Sequence, residues 1–196
     1  VDPTPGAGNF TTIQSAINAA NATDTILVNS GTYHERVNVN KRLTLRGNDT
    51  GGGLPIVDAL GSGSAITLSA DGCTLEGFVA RNSDSWTKAG VMVTSDGNTI
   101  SGNTVTDNIL GIRLDSSDGN TISRNNATDN SYGIFLTSSS NNNLSGNYAI
   151  NCFDGGIFID QSNENTISGN NADNGSHIGI FLIHSSNNTI SGNTAT

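Results

Sequence analysis

The sequence predicts an all-β solenoid, a single-stranded right-handed parallel β-helix with about 22–23 residues and three strands per coil and a capping helix at its N-terminal end. Three observations carry this. The pattern Asn-Thr-Ile-Ser-Gly-Asn at 98–103 returns in variants that begin at 120, 142, 165 and 188, steps of 22, 22, 23 and 23 residues. A second landmark keeps the same clock: Gly90-Val91, Gly111-Ile112, Gly133-Ile134, Gly156-Ile157 and Gly179-Ile180. A small apolar residue marks the third phase, at Val105, Ala127, Ala149, Ala172 and Ala195. One such unit cannot bury its apolar side alone, so a fixed period of this length implies stacked units that share a core.

Within each period the apolar residues alternate over only three to five positions and are broken by Gly, Asn and Ser. Short strands and turns follow from that pattern, not helices. Stacking places Ile100, Ile122, Leu144, Ile167 and Ile190 on one another about 4.8 Å apart. Asn103, Asn125, Asn147, Asn170 and Asn193 form a column after the turn glycine. Their side-chain amides are expected to bond from coil to coil, and Asn is expected to take the left-handed backbone of the turn.

The first half is less regular. Residues 11–21 read as the one helix, with Ile13, Ala16, Ile17 and Ala20 on one face and Thr11 or Thr12 as N-cap, covering the open end of the solenoid. Strand signals follow at 25–28, 37–39, 43–45, 56–57, 65–68 and 73–75. Coils between 24 and 97 carry insertions at 50–54 and 82–89, and regular coils run over 98–196. The whole is one domain of six or seven coils, about 30 Å long. Residues 191–196 stop partway into a further coil, which leaves an uncapped end with unpaired strand edges.

The composition excludes several functions. Lys and Arg number 8 against 17 Asp and Glu, a net charge of −9, which speaks against nucleic acid and against an anionic membrane surface. No apolar run reaches the roughly 18 residues of a membrane helix, so no membrane insertion is expected. Cys73 and Cys152 differ in phase and lie about three coils apart, an axial offset near 14 Å, so both are expected to be free thiols.

Residues 8–20, Gly-Asn-Phe-Thr-Thr-Ile-Gln-Ser-Ala-Ile-Asn-Ala-Ala, with Asp24-Thr25-Ile26-Leu27-Val28 and Gly31-Thr32-Tyr33, resemble the opening of pectin methylesterases and related carbohydrate-acting β-helix proteins. The Asn-Thr-Ile-Ser-Gly-Asn coils are similar to the NosD-type repeats of large surface proteins of methanogenic archaea. The resemblance implies the solenoid and a secreted or cell-surface setting. It does not imply chemistry, because one solenoid hosts many activities and inert scaffolds alike. The Gln-Asp-Asp-Arg constellation of the esterases has no matching motif here, and the Asp-Asp pair and Gly-His-Gly signature of polygalacturonases are missing too. The NosD resemblance suggests copper, yet the chain holds three His (His34, His177, His184), one Met and two Cys, with His177 and His184 on opposite flanks of one strand.

Strand alternation sends Ile134 and Leu136 inward and Phe135 outward. The same phase holds Met92, Arg113, Phe158 and Phe181. Half of the six Phe would thus form an exposed contact stripe, for another protein ahead of a sugar ring, because glycan sites set several polar groups beside the ring. Asp107, Asp129 and Asp173 share a turn phase, interrupted by Asn151, and are the only Ca²⁺ candidates; such Asp more often accept backbone bonds. No other cofactor and no catalytic residue is expected. Sequons stand at Asn9, Asn21, Asn48, Asn126, Asn143, Asn174 and Asn187, close to the number that the Asn and Ser/Thr content yields by chance. The expected function is that of a non-catalytic, secreted or cell-surface structural solenoid. It would associate end to end with copies of itself or with other envelope proteins. The alternative is a polysaccharide-binding or Ca²⁺-dependent, lyase-like module.

Overall fold

A computed structural model describes residues 1–3, 10–173 and 178–195. The chain winds as a parallel β-solenoid of about seven turns with three sheets. Sheet A has eight strands: Thr25–Asn29, Thr44–Asn48, Thr74–Glu76, Thr99–Ser101, Thr121–Ser123, Asn143–Ser145, Thr166–Ser168 and Thr189–Ser191. Sheet B has four: Thr32–Tyr33, Ile56–Asp58, Val79–Arg81 and Thr104–Thr106. Beyond these, sheet B thins to single parallel bridges that join Thr104, Asn126, Tyr148, Asn171 and Thr194. Sheet C has seven: Val37–Val39, Ile66–Leu68, Val91–Val93, Leu110–Asp115, Tyr132–Thr137, Gly155–Asp160 and Ile178–Ile183.

The register follows the repeat clock. Ile100 pairs Ile122, which pairs Leu144, then Ile167, then Ile190. These and their counterparts on the other two faces form one core, with Ile100, Ile112, Ile122, Ile134, Leu144 and Ile167 fully buried. The glycine and alanine landmarks meet at one corner. A Cβ on Gly156 would lie 2.7 Å from the Gly179 carbonyl, 2.8 Å from that of Ala149 and 2.8 Å from the Ala172 methyl. Only Gly fits where the backbone runs so close, and only a small residue fits opposite it.

The asparagine ladder forms as expected: Asn103, Asn125, Asn147 and Asn170 are buried, and each donates its side-chain N–H to the next Asn Oδ1 at 2.9–3.0 Å. The left-handed residue is not the Asn but the one before it, at Gly102, Arg124, Gly146, Gly169 and Gly192, with φ between +53° and +63°. The Asn backbone N–H must point along the solenoid to reach the next Oδ1, so the turn is made one residue earlier. A second ladder runs through Asn98, Asn120, Asn142, Asn165 and Asn188, its rungs carried by backbone N–H bonds to the next Oδ1.

The helix is Ile13–Ala19, capped by Thr12, with Ile13, Ala16 and Ile17 buried against the first coil. It closes the edge of sheet C through the Gln14 side chain, which accepts from Asn38 N–H at 2.8 Å and donates to Asn38 O at 3.3 Å. Val1 closes the edge of sheet A: its amine donates to Leu27 O and its carbonyl accepts from Asn29 N–H. At the other end Ile190, the counterpart of fully buried Ile167, is 49% exposed.

Candidate contact surface

The outer face of sheet C carries the expected column in strict register. Asn38 pairs Thr67, then Met92, Arg113, Phe135, Phe158 and Phe181. Phe135 and Phe158 stack with centroids 4.8 Å apart and planes 12° apart, the spacing of the coils themselves. Phe181 follows at 5.3 Å, tilted by 33°. All three rings are half-buried.

The upper end of the stripe differs from expectation. Met92 is buried, not exposed. The insertion at 82–89 folds over it, and Met92 joins Ala89 and Leu110 in a second apolar cluster outside the prism, against which Ile109, Tyr132 and Phe135 pack. Arg113 is also largely covered. Its guanidinium donates to the Trp86 carbonyl at 3.0 Å and to Asp115 at 2.9 Å, and its central carbon lies 6.0 Å from the centroid of the Phe135 ring. Trp86, itself 58% exposed, meets Tyr132 edge to face at 6.1 Å. Tyr132 bridges to Phe135 and Phe158 at 5.6 and 5.4 Å, and its phenol is held above its ordinary pKa by burial and by Asp154. The missed members, Trp86 and Tyr132, lie outside the column phase. Their sequence signal is an aromatic inside an insertion and another at the head of a repeat strand.

Asp107 and Asp129 stack with Asn151 in left-handed turns at φ +58°, +56° and +56°, and line a surface groove of about 600 Å³. Asp173 is not among the left-handed residues; its N–H donates to the Asn171 side chain. The groove also holds Leu60, Asp84, Ile109 and Phe153, so it borders the stripe through Ile109. Beside it lies a buried ion pair that sequence reading does not find. Asp58 accepts from Arg81 Nε at 3.0 Å, from Asn82 at 2.9 Å and from Leu60 N–H at 2.9 Å. Burial pushes the Asp58 carboxyl up, but these bonds outweigh it and hold the group below its ordinary value. Its signal is an Asp one coil ahead of an Arg at the same strand position.

Of the sequons, Asn21, Asn48, Asn126, Asn143 and Asn187 are exposed, and none of them lies on sheet C. Asn9, Asn174 and His177 lie outside the described residues. Cys73 and Cys152 are both buried. Cys152 takes the place of an Asn in the column of Asn108 and Asn130: Sγ reaches Ala127 O and Ile150 O, as the Asn130 amide reaches Val105 O and Thr128 O.

The family described as periplasmic copper-binding protein (NosD) matches residues 17–196. A cell surface glycoprotein of Methanothermus fervidus is 36% identical over 104 residues, 52% of this chain but only 16% of that protein. A pectin methylesterase crystallised with a hexasaccharide superposes with a TM-score of 0.50 at 16% identity, covering 92% of this chain and 79% of that one. The pectin methylesterase of Aspergillus niger gives 0.48 at 13%, covering 96% and 84%. At 16% identity the likeness to the first of these esterases is one of fold alone. The copper in the family description finds no fit here: among the described residues no three of His, Cys, Asp and Glu come together, the one Met is buried under the insertion, and His184 is bonded to Asp160.

Proposed function

The chain belongs to the NosD family, and from that premise we propose that it works as a non-catalytic β-solenoid of the cell surface, a stiff rod that offers one side to a protein partner. The surface setting draws on the Methanothermus fervidus relative, whose name places that protein at the cell surface. The single observation that carries the contact role is the stacked Phe135–Phe158 pair on the outer face of sheet C. Isolated soluble surfaces rarely hold so continuous an apolar strip without a use for it. The absence of catalysis is supported by Asp58, the one buried carboxylate among the described residues, whose oxygens are already taken by Arg81, Asn82 and Leu60.

Lateral contact is favoured over end-to-end growth of identical copies. The helix Ile13–Ala19 covers the first coil, and Gln14 and Val1 occupy its strand edges, so a second copy could stack there only by displacing them. The test is retention on envelopes isolated from the source organism. The variant F135S/F158S/F181S should be retained at least fivefold less than the native chain, with an unchanged circular dichroism spectrum. A control on sheet A, T99S/T121S/T166S, should be retained normally. Equal retention of all three proteins would overturn the reading.

A further inference from the structure

Resting on the lateral-contact reading, we infer that the partner presented to sheet C is an extended polypeptide segment with one row of apolar side chains and a flanking row of Lys or Arg. A sugar docks its flat C–H face on the face of an aromatic ring. Here the faces of Phe135 and Phe158 are turned to each other at 4.8 Å and 12°, and Phe181 continues the stack, so the stripe presents ring edges to solvent. Ring edges suit aliphatic side chains, aromatic faces and backbone carbonyls.

The chain supplies its own precedent. Residues 82–89 lie across the upper end of this face, setting Trp86 edge to face on Tyr132, burying Ala89 against Met92 and Leu110, and offering the Trp86 carbonyl to Arg113. Below Phe135 the cover thins to the Tyr132 ring, which meets Phe158 edge to face. A guest that continues it has the same chemistry: a peptide backbone with apolar side chains.

Charge decides the rest. The groove that adjoins the stripe at Ile109 carries Asp84, Asp107 and Asp129, with exposed Leu60 and Phe153 at its lips. On the other flank Asp115 pairs with Arg113, and Asp160 follows two coils on. A second copy would bring another net charge of −9 against these carboxylates, whereas a basic segment complements them.

The probe is a fluorescein-labelled ten-residue peptide of alternating Leu and Lys, titrated into the full chain by anisotropy. Peptides of alternating Leu and Glu, and of alternating Gly and Lys, are each expected to bind at least tenfold more weakly. F158S should weaken the Leu–Lys peptide at least fivefold, and D107N/D129N likewise. D96N/D118N removes the same charge at another corner of the prism, where Asp118 N–H donates to Asp96, and should change binding less than twofold. Several outcomes overturn the inference: no binding, equal binding of the Gly–Lys peptide, or equal effects of the two Asp pairs. So does a concentration-dependent dimer in sedimentation that F158S abolishes, or an acidic oligosaccharide whose binding F158S abolishes. If the peptide fails while F135S/F158S/F181S still loses envelope retention, the partner's chemistry is wrong but the lateral-contact reading stands.

Discussion

Glu35 and Lys41 grip opposite ends of the same helix. The Glu35 carboxylate accepts from Ile13 N–H at 2.8 Å and Gln14 N–H at 3.0 Å. The Lys41 ammonium donates to the carbonyls of Ile17, Asn18 and Ala20 at 3.0, 2.9 and 2.8 Å. A helix of seven residues is too short to persist alone, and each of these charges also opposes the partial charge of the helix end it holds.

The clamp predicts that E35Q and K41M each cost about 1–2 kcal/mol in urea unfolding. Hydrogen exchange should locate the loss. Amides of Ile13–Ala19 should exchange faster in both variants, while those of Thr121–Ser123 keep their protection. Unchanged exchange in the helix would mean that the packing of Ile13 and Ile17 holds it without the clamp.

Asn125 tests the ladder. Its Oδ1 accepts both the backbone and the side-chain N–H of Asn103 at 3.0 Å, and its own amide donates to Ile100 O and Asn147. N125A leaves the buried Asn103 backbone N–H without an acceptor, at about 1–3 kcal/mol, while the Asn103 side-chain amide keeps Leu75 O and Ser101 O. A loss of about 2 kcal/mol is expected, against less than about 0.5 kcal/mol for the half-exposed Thr121→Ala. Equal losses would show that the column is ornamental.

Cys152 is the gap in the separate Asn108–Asn130 column, where a thiol accepts the Asn130 N–H in place of an amide oxygen. C152N restores the stronger acceptor at nearly constant volume and should raise stability by about 1 kcal/mol. A destabilised C152N would mean that the thiol is there for its fit.

Alkaline pH should weaken the fold. Burial pushes the Cys152 thiol up to about 11, with Asp129 adding to it against the Asn130 N–H; burial, Asp2 and Glu35 push the Tyr33 phenol up to about 12. Both groups hold their proton more tightly in the folded chain than the unfolded values of about 8.5 and 10. Their contribution is therefore full below about pH 8.5 and is lost as pH rises through the folded values. The urea midpoint should fall steadily from pH 8.5 to 11, less so in C152S. A flat midpoint would contradict these environments.

The period makes most of this architecture legible in the amino-acid sequence. Residues 22 or 23 apart in the repeats are coil neighbours, so the register of Ile100 with Ile122 and of Phe135 with Phe158 can be read directly. What lacks a period is not legible. The insertion over Met92 occurs once, and its fold depends on the apolar surface that Leu110 and Tyr132 happen to offer. Glu35 reaches Ile13 across 22 residues of irregular chain, a contact no local pattern announces. The turn's left-handed residue lies one position ahead of the expected Asn, because Asn tolerates that conformation but is needed here for its amide. At Arg124 the turn is made by a residue that carries none of the usual preference for it.

Hydroxyl-radical footprinting of the native chain, purified and then bound to envelopes, tests the central claim most directly. The contact reading predicts that oxidation of Phe135, Phe158 and Phe181 falls at least threefold on binding, while Tyr148, exposed on the opposite side of the corner, is oxidised as before. Equal oxidation of all four rings in both states would contradict it.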